Sequence, residues 1–160
     1  MIFVTVGTQG PFDRLITTMD ELALSMPDIP IVAQVGESKY KVRNMHSFAF
    51  TSSLDMEMYF NNAHLIVSHA GMGTIISAFE RKKPIVIFPK LAKFGEHRND
   101  HQLATAKRLE SLNYLHAAYD FTTLKAKVSA ALTGELTPLH NVGKYASTEL
   151  ITSLQTYLTM

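Results

Sequence analysis

Three strings in this chain of 160 residues pair reactive residue types with a spacing that lets them act together. The first is Ser68-His69-Ala70-Gly71-Met72-Gly73-Thr74, which follows an apolar run and opens a segment of helical spacing. Its glycines leave backbone N–H groups free to point at a ligand, and a helix amino end adds partial positive charge there, a combination suited to phosphate. The second is Gly7-Thr8-Gln9-Gly10-Pro11-Phe12-Asp13, also between an apolar run and a helical segment. Gly7 permits close approach of the backbone, and Thr8 and Gln9 offer side-chain donors, so an anion fits here too, although the same residues are ordinary turn chemistry. The third, Gly95-Glu96-His97-Arg98-Asn99-Asp100-His101-Gln102, places seven polar or charged side chains before a helix. That density of directional hydrogen-bonding groups suits a hydroxyl-rich ligand.

Each string also has its excluded or competing chemistry. Neither glycine loop carries the Walker lysine pattern or the GxGxxG spacing, which argues against a kinase or a dehydrogenase. His69 is read either as a hydrogen-bonding partner of a phosphate or sugar or as a structural imidazole. His97 and His101 are four residues apart, but a zinc site needs a third ligand at a familiar spacing, and the sequence supplies none, so no metal is expected. Arg81, Lys82, Lys83, Lys90, Lys93 and Arg98 form a basic run. It reads as a solvated face or as a surface for anionic headgroups or an acceptor's pyrophosphate.

The elements that position these strings follow from periodicity. Short runs rich in β-branched residues, Ile2 to Val6, Ile31 to Gln34, Ser47 to Phe50, His64 to Val67, Ile85 to Phe88 and Tyr114 to Ala117, read as buried strands. Between them Phe12 to Leu24, Leu54 to Asn61, Thr74 to Arg81, Asp100 to Leu112 and Leu124 to Leu132 have helical spacing. Alternating strands and helices with nearly continuous apolar strands predict an α/β fold, a Rossmann-like parallel sheet with helices on both faces. Ligands of such sheets bind beyond the carboxyl ends of the strands, where all three strings fall.

One domain is expected at this length, with residues 1–133 forming the binding unit and 134–160 a linker and carboxy-terminal amphipathic helix of the same domain. Leu150, Ile151, Leu154, Tyr157 and Leu158 share one face of that helix, which runs from about Tyr145 to Leu158. The face is expected to pack on the chain's own sheet, the alternative being a docking face for another subunit. Lys and Arg number 15 against 14 Asp and Glu, so charge calls for no nucleic acid. The absence of cysteine removes disulfide, thiolate-metal and cysteine-nucleophile chemistry. The first residues lack a basic stretch and a long apolar run, so the expected location is the cytoplasm.

His69-Ala70-Gly71, Thr74, Lys83-Pro84, the strand leading to Pro89, and Gln102 with Ala106 resemble, in order and spacing, the carboxy-terminal donor-binding domain of GT-B glycosyltransferases of family 28, MurG among them. The Phe3-Val4-Thr5-Val6-Gly7-Thr8 opening, the loop from His69 to Thr74 and the string from His97 to Gln102 are closer still to the PssE/EpsF type of exopolysaccharide glycosyltransferase. That type is similar to the catalytic subunit of the two-part transferase of dolichol-linked chitobiose synthesis. The resemblance implies an inverting transfer from a UDP-sugar to a polyprenyl-diphosphate-linked saccharide, with no metal cofactor. It also implies a membrane-anchored acceptor-binding partner of the PssD type, through which the chain sits peripherally at the inner face of the cell membrane.

Carried onto this sequence, the resemblance assigns Gly7, Thr8, Gly71, Met72, Gly73 and Thr74 to the donor diphosphate and Phe50 and Thr51 to uracil. Asn99, Asp100, His101 and Gln102 fall to the donor sugar, and His69 is the catalytic candidate beside the phosphates. The family's ribose-binding glutamate is replaced by Ser77, so the ribose contact falls to Ser77 or to Glu80 one turn on. The base that activates the acceptor is assigned to the partner. A competing reading is a non-catalytic nucleotide-binding or enhancer subunit that stabilises a partner glycosyltransferase.

Overall fold

Buried on both faces, the apolar runs become parallel strands, in a computed structural model that describes residues 1–143 and 145–159. The strands are β1 Ile2–Thr5, β2 Ile31–Gln34, β3 His46–Phe48, β4 Leu65–Ser68, β5 Ile85–Ile87 and β6 His116–Ala117. They form one parallel sheet in the order β3-β2-β1-β4-β5-β6. The helices are α1 Asp13–Leu24, α2 Ser53–Asn62, α3 Met72–Glu80, α4 His101–Ser111, α5 Phe121–Leu132 and α6 Thr148–Leu158, with a short 3₁₀ turn at Ala92–Phe94.

Side-chain alternation divides the core into two layers. Ile2, Val4, Leu65 and Val67 point to one face and pack with Leu15, Ile16 and Met19 of α1 and Leu124 and Val128 of α5. Phe3, Ile66, Ile85 and Ile87 point to the other and meet Phe60 of α2, Ile75 and Phe79 of α3 and Ala106 of α4. Helices therefore cover both faces, the doubly wound arrangement expected from the sequence. The strand order reverses direction between β1 and β4, so the crevice at their carboxyl ends is the topological switch point.

Several boundaries differ from the expected ones for identifiable reasons. β2 and β3 are joined without a helix, where the sequence also offers no helical segment. That connection is instead hooked to α1 by the buried carboxylate of Asp20, which accepts from Tyr40 Oη, the backbone N–H groups of Arg43 and Asn44, and Asn44 Nδ2. A buried carboxylate left without such donors would be strongly destabilising. β3 and β6 are shorter than expected because they are edge strands. α5 begins three residues before the expected Leu124, started by a capping box in which Asp120 accepts from Thr123 N.

The segment after α5 crosses the open edge of the sheet. Leu136 is buried in the α1/α5 layer, the His116 ring pairs with Thr137 O at 3.1 Å, and His140 stacks on Tyr114 and meets Phe79 edge-on in the other layer. The edge strand β6 is thus covered rather than left as a template for pairing. Beyond this segment the expectation of packing fails. No described residue of α6 is buried, and Leu150, Ile151, Leu154, Tyr157 and Leu158 are all exposed. Ser147 caps the helix by accepting from Leu150 N, but its apolar stripe is not laid on the sheet. Lys144 and Met160 lie outside the described residues.

Because α6 contributes nothing to either core layer, a chain ending at Gly143 is expected to melt within about 2 °C of the full chain, the change that less than about 1 kcal/mol produces at this size. Thermal melts followed by circular dichroism check this. A drop several times larger would show that α6 does stabilise the domain.

Candidate donor-site cleft

The two glycine strings leave adjacent strands at the switch point. A cleft of about 1110 Å³ opens there, lined by residues of both strings and by parts of α2, α3 and α4. Gly7 follows β1 with φ +75°, and both sides of its backbone are clamped. Its N–H donates to Thr5 Oγ1 and its carbonyl accepts from Gln34 Nε2, while Thr5 Oγ1 donates to Gln34 Oε1. Thr5 and Gln34 are buried, so this pairing is shielded from water and fixes the loop.

Two cationic side chains hold the next layer. Lys90, only 1% exposed, donates from Nζ to Gln9 O at 2.6 Å and Gly10 O at 3.0 Å. Its burial pushes the ammonium below its usual range, and Glu96 partly offsets this. Arg14 of α1 makes a two-pronged pair with Glu96, Nε to Oε1 at 2.7 Å and a terminal nitrogen to Oε2 at 2.8 Å, and also donates to Pro89 O. Glu96 Oε2 accepts from Leu91 N as well, so the segment after β5 is knitted to α1. The planar fork of arginine suits this geometry in a way a lysine would not.

At the end of β4, His69 enters the space between the two loops. Its Nδ1 lies 3.1 Å from Ser68 Oγ, which itself donates to Thr5 O. A side-chain carbon placed on Gly7 would sit 2.6 Å from His69 Nε2, and one on Gly71 closer still. The imidazole therefore fills the room that any larger residue at either position would need. Burial, reinforced by Lys90 and His97, lowers this histidine to about 4, so it is neutral near pH 7.

Gly71 is the N-cap of α3, with extended backbone and no side chain capping the helix. The first-turn N–H groups of Met72, Gly73 and Thr74 face the cleft without a side-chain acceptor, and the helix dipole adds to their attraction for an anion. Gln102, on α4, accepts at Oε1 from Ala70 N and Lys90 N, both at 3.2 Å. Those contacts fix its amide orientation and leave its NH₂ as the group available to the cleft.

The residues that give this arrangement extend over nearly the whole chain. Residues 1–153 match the family described as the glycosyltransferase family 28 C-terminal domain. The chain belongs to this family.

Among relatives of this family 28 domain, the UDP-N-acetylglucosamine transferase subunit ALG13 of Yarrowia lipolytica is 30% identical over 139 residues, covering 75% of this chain and 65% of the relative. The protein of the same name from Homo sapiens is 31% identical over 131 residues, covering 71% of this chain and 10% of its own length. The chain thus spans less than two thirds of each of these relatives. In fold, it aligns with the solution structure of ALG13 at a TM-score of 0.60 and 19% identity, over 96% of this chain and 93% of that one.

Within the family 28 cleft, the structure brings together most of the residues singled out from sequence. Gly7, Thr8, His69, Gly71, Met72, Gly73, Thr74, Phe50, Thr51, Ser77, His101 and Gln102 line it. Phe50 is 53% exposed, so its ring offers an uncovered platform at the wall of the cleft. Thr51 beside it donates to Asp55, whose carboxyl is lowered by the hydroxyls of Ser52 and Thr51.

Glu80, Asn99 and Asp100 fall outside the lining. Glu80 lies 3.7 Å from Arg81, Asn99 Oδ1 turns to His101, and Asp100 accepts from Ala92 N at 2.8 Å. The Asn99 and Asp100 groups are spent on holding the loop before α4, and Glu80 faces its neighbour Arg81. His97 and His101 pack edge to face at 4.4 Å, and among the described residues no three His, Asp or Glu side chains gather to hold a metal.

Sequence reasoning missed one pair in the wall. Glu57 of α2 and Arg81, just after α3, meet at 3.2 Å, and both line the cleft together with Ser77. Arg81 also donates to Ser77 O and to Asn61 Oδ1. Its place in the basic run pointed to charge without revealing this partner.

Gly71 has an ordinary φ of −82°, so only the His69 ring excludes a side chain there. Gly71→Ala is expected to cost about 1–3 kcal/mol, as overpacking does, and to cost little when placed in a His69→Ala background. Chemical denaturation of the four proteins measures the coupling. Additive costs would show that the ring is not the obstacle.

Proposed function

We propose that this chain is the donor-binding subunit of a two-component inverting glycosyltransferase that takes its sugar from a UDP-sugar. The observation that carries this reading is the meeting of an uncapped helix amino end and the clamped Gly7 loop at the switch point, beside an uncovered aromatic ring. An anion at the α3 terminus, a planar base against Phe50 and a sugar near His101 and Gln102 match the parts of a nucleoside-diphosphate sugar. Ser77 and Glu57 then flank the ribose hydroxyls, in place of Glu80. The first-turn N–H groups would stabilise the charge that develops on the departing UDP, which needs no metal.

The relatives named UDP-N-acetylglucosamine transferase subunit support the reading as a subunit and make UDP-N-acetylglucosamine the first donor to try. The second component is an acceptor-binding, membrane-anchored subunit of the PssD type, which presents a polyprenyl-diphosphate-linked saccharide and supplies the base. The uncovered stripe of α6 is the face assigned to that subunit, and exopolysaccharide assembly at the inner side of the cell membrane is the setting. Among the described residues no helix is long and apolar enough to cross a membrane.

Calorimetric titration of the purified chain with UDP-N-acetylglucosamine and other UDP-sugars tests the donor site. Gly71→Asp, which places a carboxylate at the anion position, and Thr74→Ala are each expected to weaken binding by about tenfold or more, the effect of losing a charge-assisted contact. Transfer is expected only when the acceptor subunit is added. Full transfer by the isolated chain would overturn the two-component reading, and binding without transfer in the reconstituted pair would favour the enhancer reading.

A further inference from the structure

The hydrogen bonds around His69 favour one ring nitrogen for its proton. Ser68 Oγ has a single proton, and it is donated to the carbonyl of Thr5 at 3.1 Å. Toward His69 Nδ1, 3.1 Å away, the hydroxyl is left only with lone pairs, so Nδ1 must be the donor of that contact. In a neutral imidazole the other nitrogen is then bare. Nε2 has no hydrogen-bond partner among the described residues, and it is one of the two ring atoms nearest the spaces above Gly7 and Gly71.

This bare acceptor sits in surroundings that repel a second proton. Lys90 faces it from the segment after β5 and His97 from the segment before α4. The α3 amino end adds the positive pole of its dipole, and neither Thr5–Gly10 nor Gly71–Thr74 contributes a titratable side chain. Among the described residues no carboxylate acts on His69 to balance them. An arriving diphosphate reverses that field and needs a donor where Nε2 offers only a lone pair.

We propose that binding of a sugar-nucleotide diphosphate in this cleft is coupled to the uptake of one proton from solvent by His69 Nε2, which turns a neutral spacer into the cation that faces the diphosphate. The inference rests on the donor reading above. The proton forms a new N–H bond on Nε2 while Nδ1 keeps its own, so the ring gains one positive charge and Ser68 keeps its hydrogen bonds. Lowered by burial to about 4 in the free site, the imidazole has its affinity for a proton raised by the bound anion, and it takes that proton from solvent at pH between about 4 and its raised value in the complex. Uptake is therefore greatest in mildly acidic solution and vanishes above the raised value.

Isothermal titration of the full chain with UDP-N-acetylglucosamine, in buffers of differing ionisation enthalpy at pH 5.5, 7.0 and 8.5, measures the protons taken up. The doubly esterified diphosphate has no ionisation of its own in that range, so the count belongs to the protein. Uptake is expected to approach one proton at about pH 5.5 and fall toward none by about pH 8.5, with affinity rising up to about tenfold for each unit by which pH is lowered where uptake is complete. His69→Gln is expected to remove the uptake. Buffer-independent heats at pH 5.5 would overturn the coupling, as would uptake that persists in His69→Gln. Uptake that grows toward pH 8.5 would assign the proton to Lys90 and overturn it as well. Absence of any UDP-sugar binding would overturn the donor reading together with this inference, whereas binding without proton uptake overturns this inference alone.

Discussion

The imidazole of His69 occupies the space that side chains at Gly7 and Gly71 would fill, and through that contact two loops from neighbouring strands are held at a fixed separation. Parallel strands β1 and β4 run side by side, with Thr5 level with Ser68, so their loops leave the sheet together. Without a spacer they would close on each other, and with larger residues they would be forced apart. Glycine at both positions and histidine between them is the solution that leaves a crevice with backbone N–H groups on its walls.

Holding that crevice open places a demand on buried polar groups, and those around the Gly7 loop and Ala70 are paired, while His97 Nδ1 in the cleft wall is left without a partner. Thr5 and Gln34 take both sides of the Gly7 peptide units, Lys90 takes the carbonyls of Gln9 and Gly10, and Gln102 ties Ala70 to Lys90. Individually such bonds contribute on the order of 1 kcal/mol, but leaving one buried partner unpaired costs more than making the bond gains. The network therefore acts less as a store of stability than as a device that makes other loop positions expensive. A rigid anion site follows, since donors that do not reorganise stabilise charge more effectively than those that must turn to meet it.

The sheet was readable in the sequence because strands buried on both faces leave continuous apolar runs, and Ile2, Phe3 and Val4 or Leu65, Ile66 and Val67 supply both layers at once. The sequence offered no helical segment between β2 and β3, but nothing local in it encodes what holds that connection, the hook of Asp20 on a segment more than twenty residues away. The glycine loops were readable as a site because their chemistry is local. Glu57 with Arg81 was not, since that pairing exists only after α2 and α3 lie together. Asn99 and Asp100 show the converse error: a polar side chain beside a cleft looks like a ligand contact in sequence, while here its bond is to a neighbouring loop. The amphipathic stripe of α6 likewise told of an apolar face but not of what would cover it.

Charge is distributed along the cleft with a direction. Its inner end carries the α3 amino terminus and His69 with Lys90 behind it, while the single carboxylate among the lining residues, Glu57, stands toward the far end of α3 and is tied to Arg81. From Gly71 to Arg81 a helix rises about 15 Å. Over that length the potential passes from one that attracts an anion to one where a carboxylate can accept hydroxyl protons. A ligand that seats its anion at the α3 amino end therefore brings the hydroxyl groups at its other end toward Glu57 and Arg81. At the inner end Glu96 acts on Lys90 from behind, none of the lining residues beside His69 is a carboxylate, and one neutral ring can still gain a charge. The strength of the site for an anion is thus set partly by the fold and partly by the ligand itself, through the proton it draws onto His69.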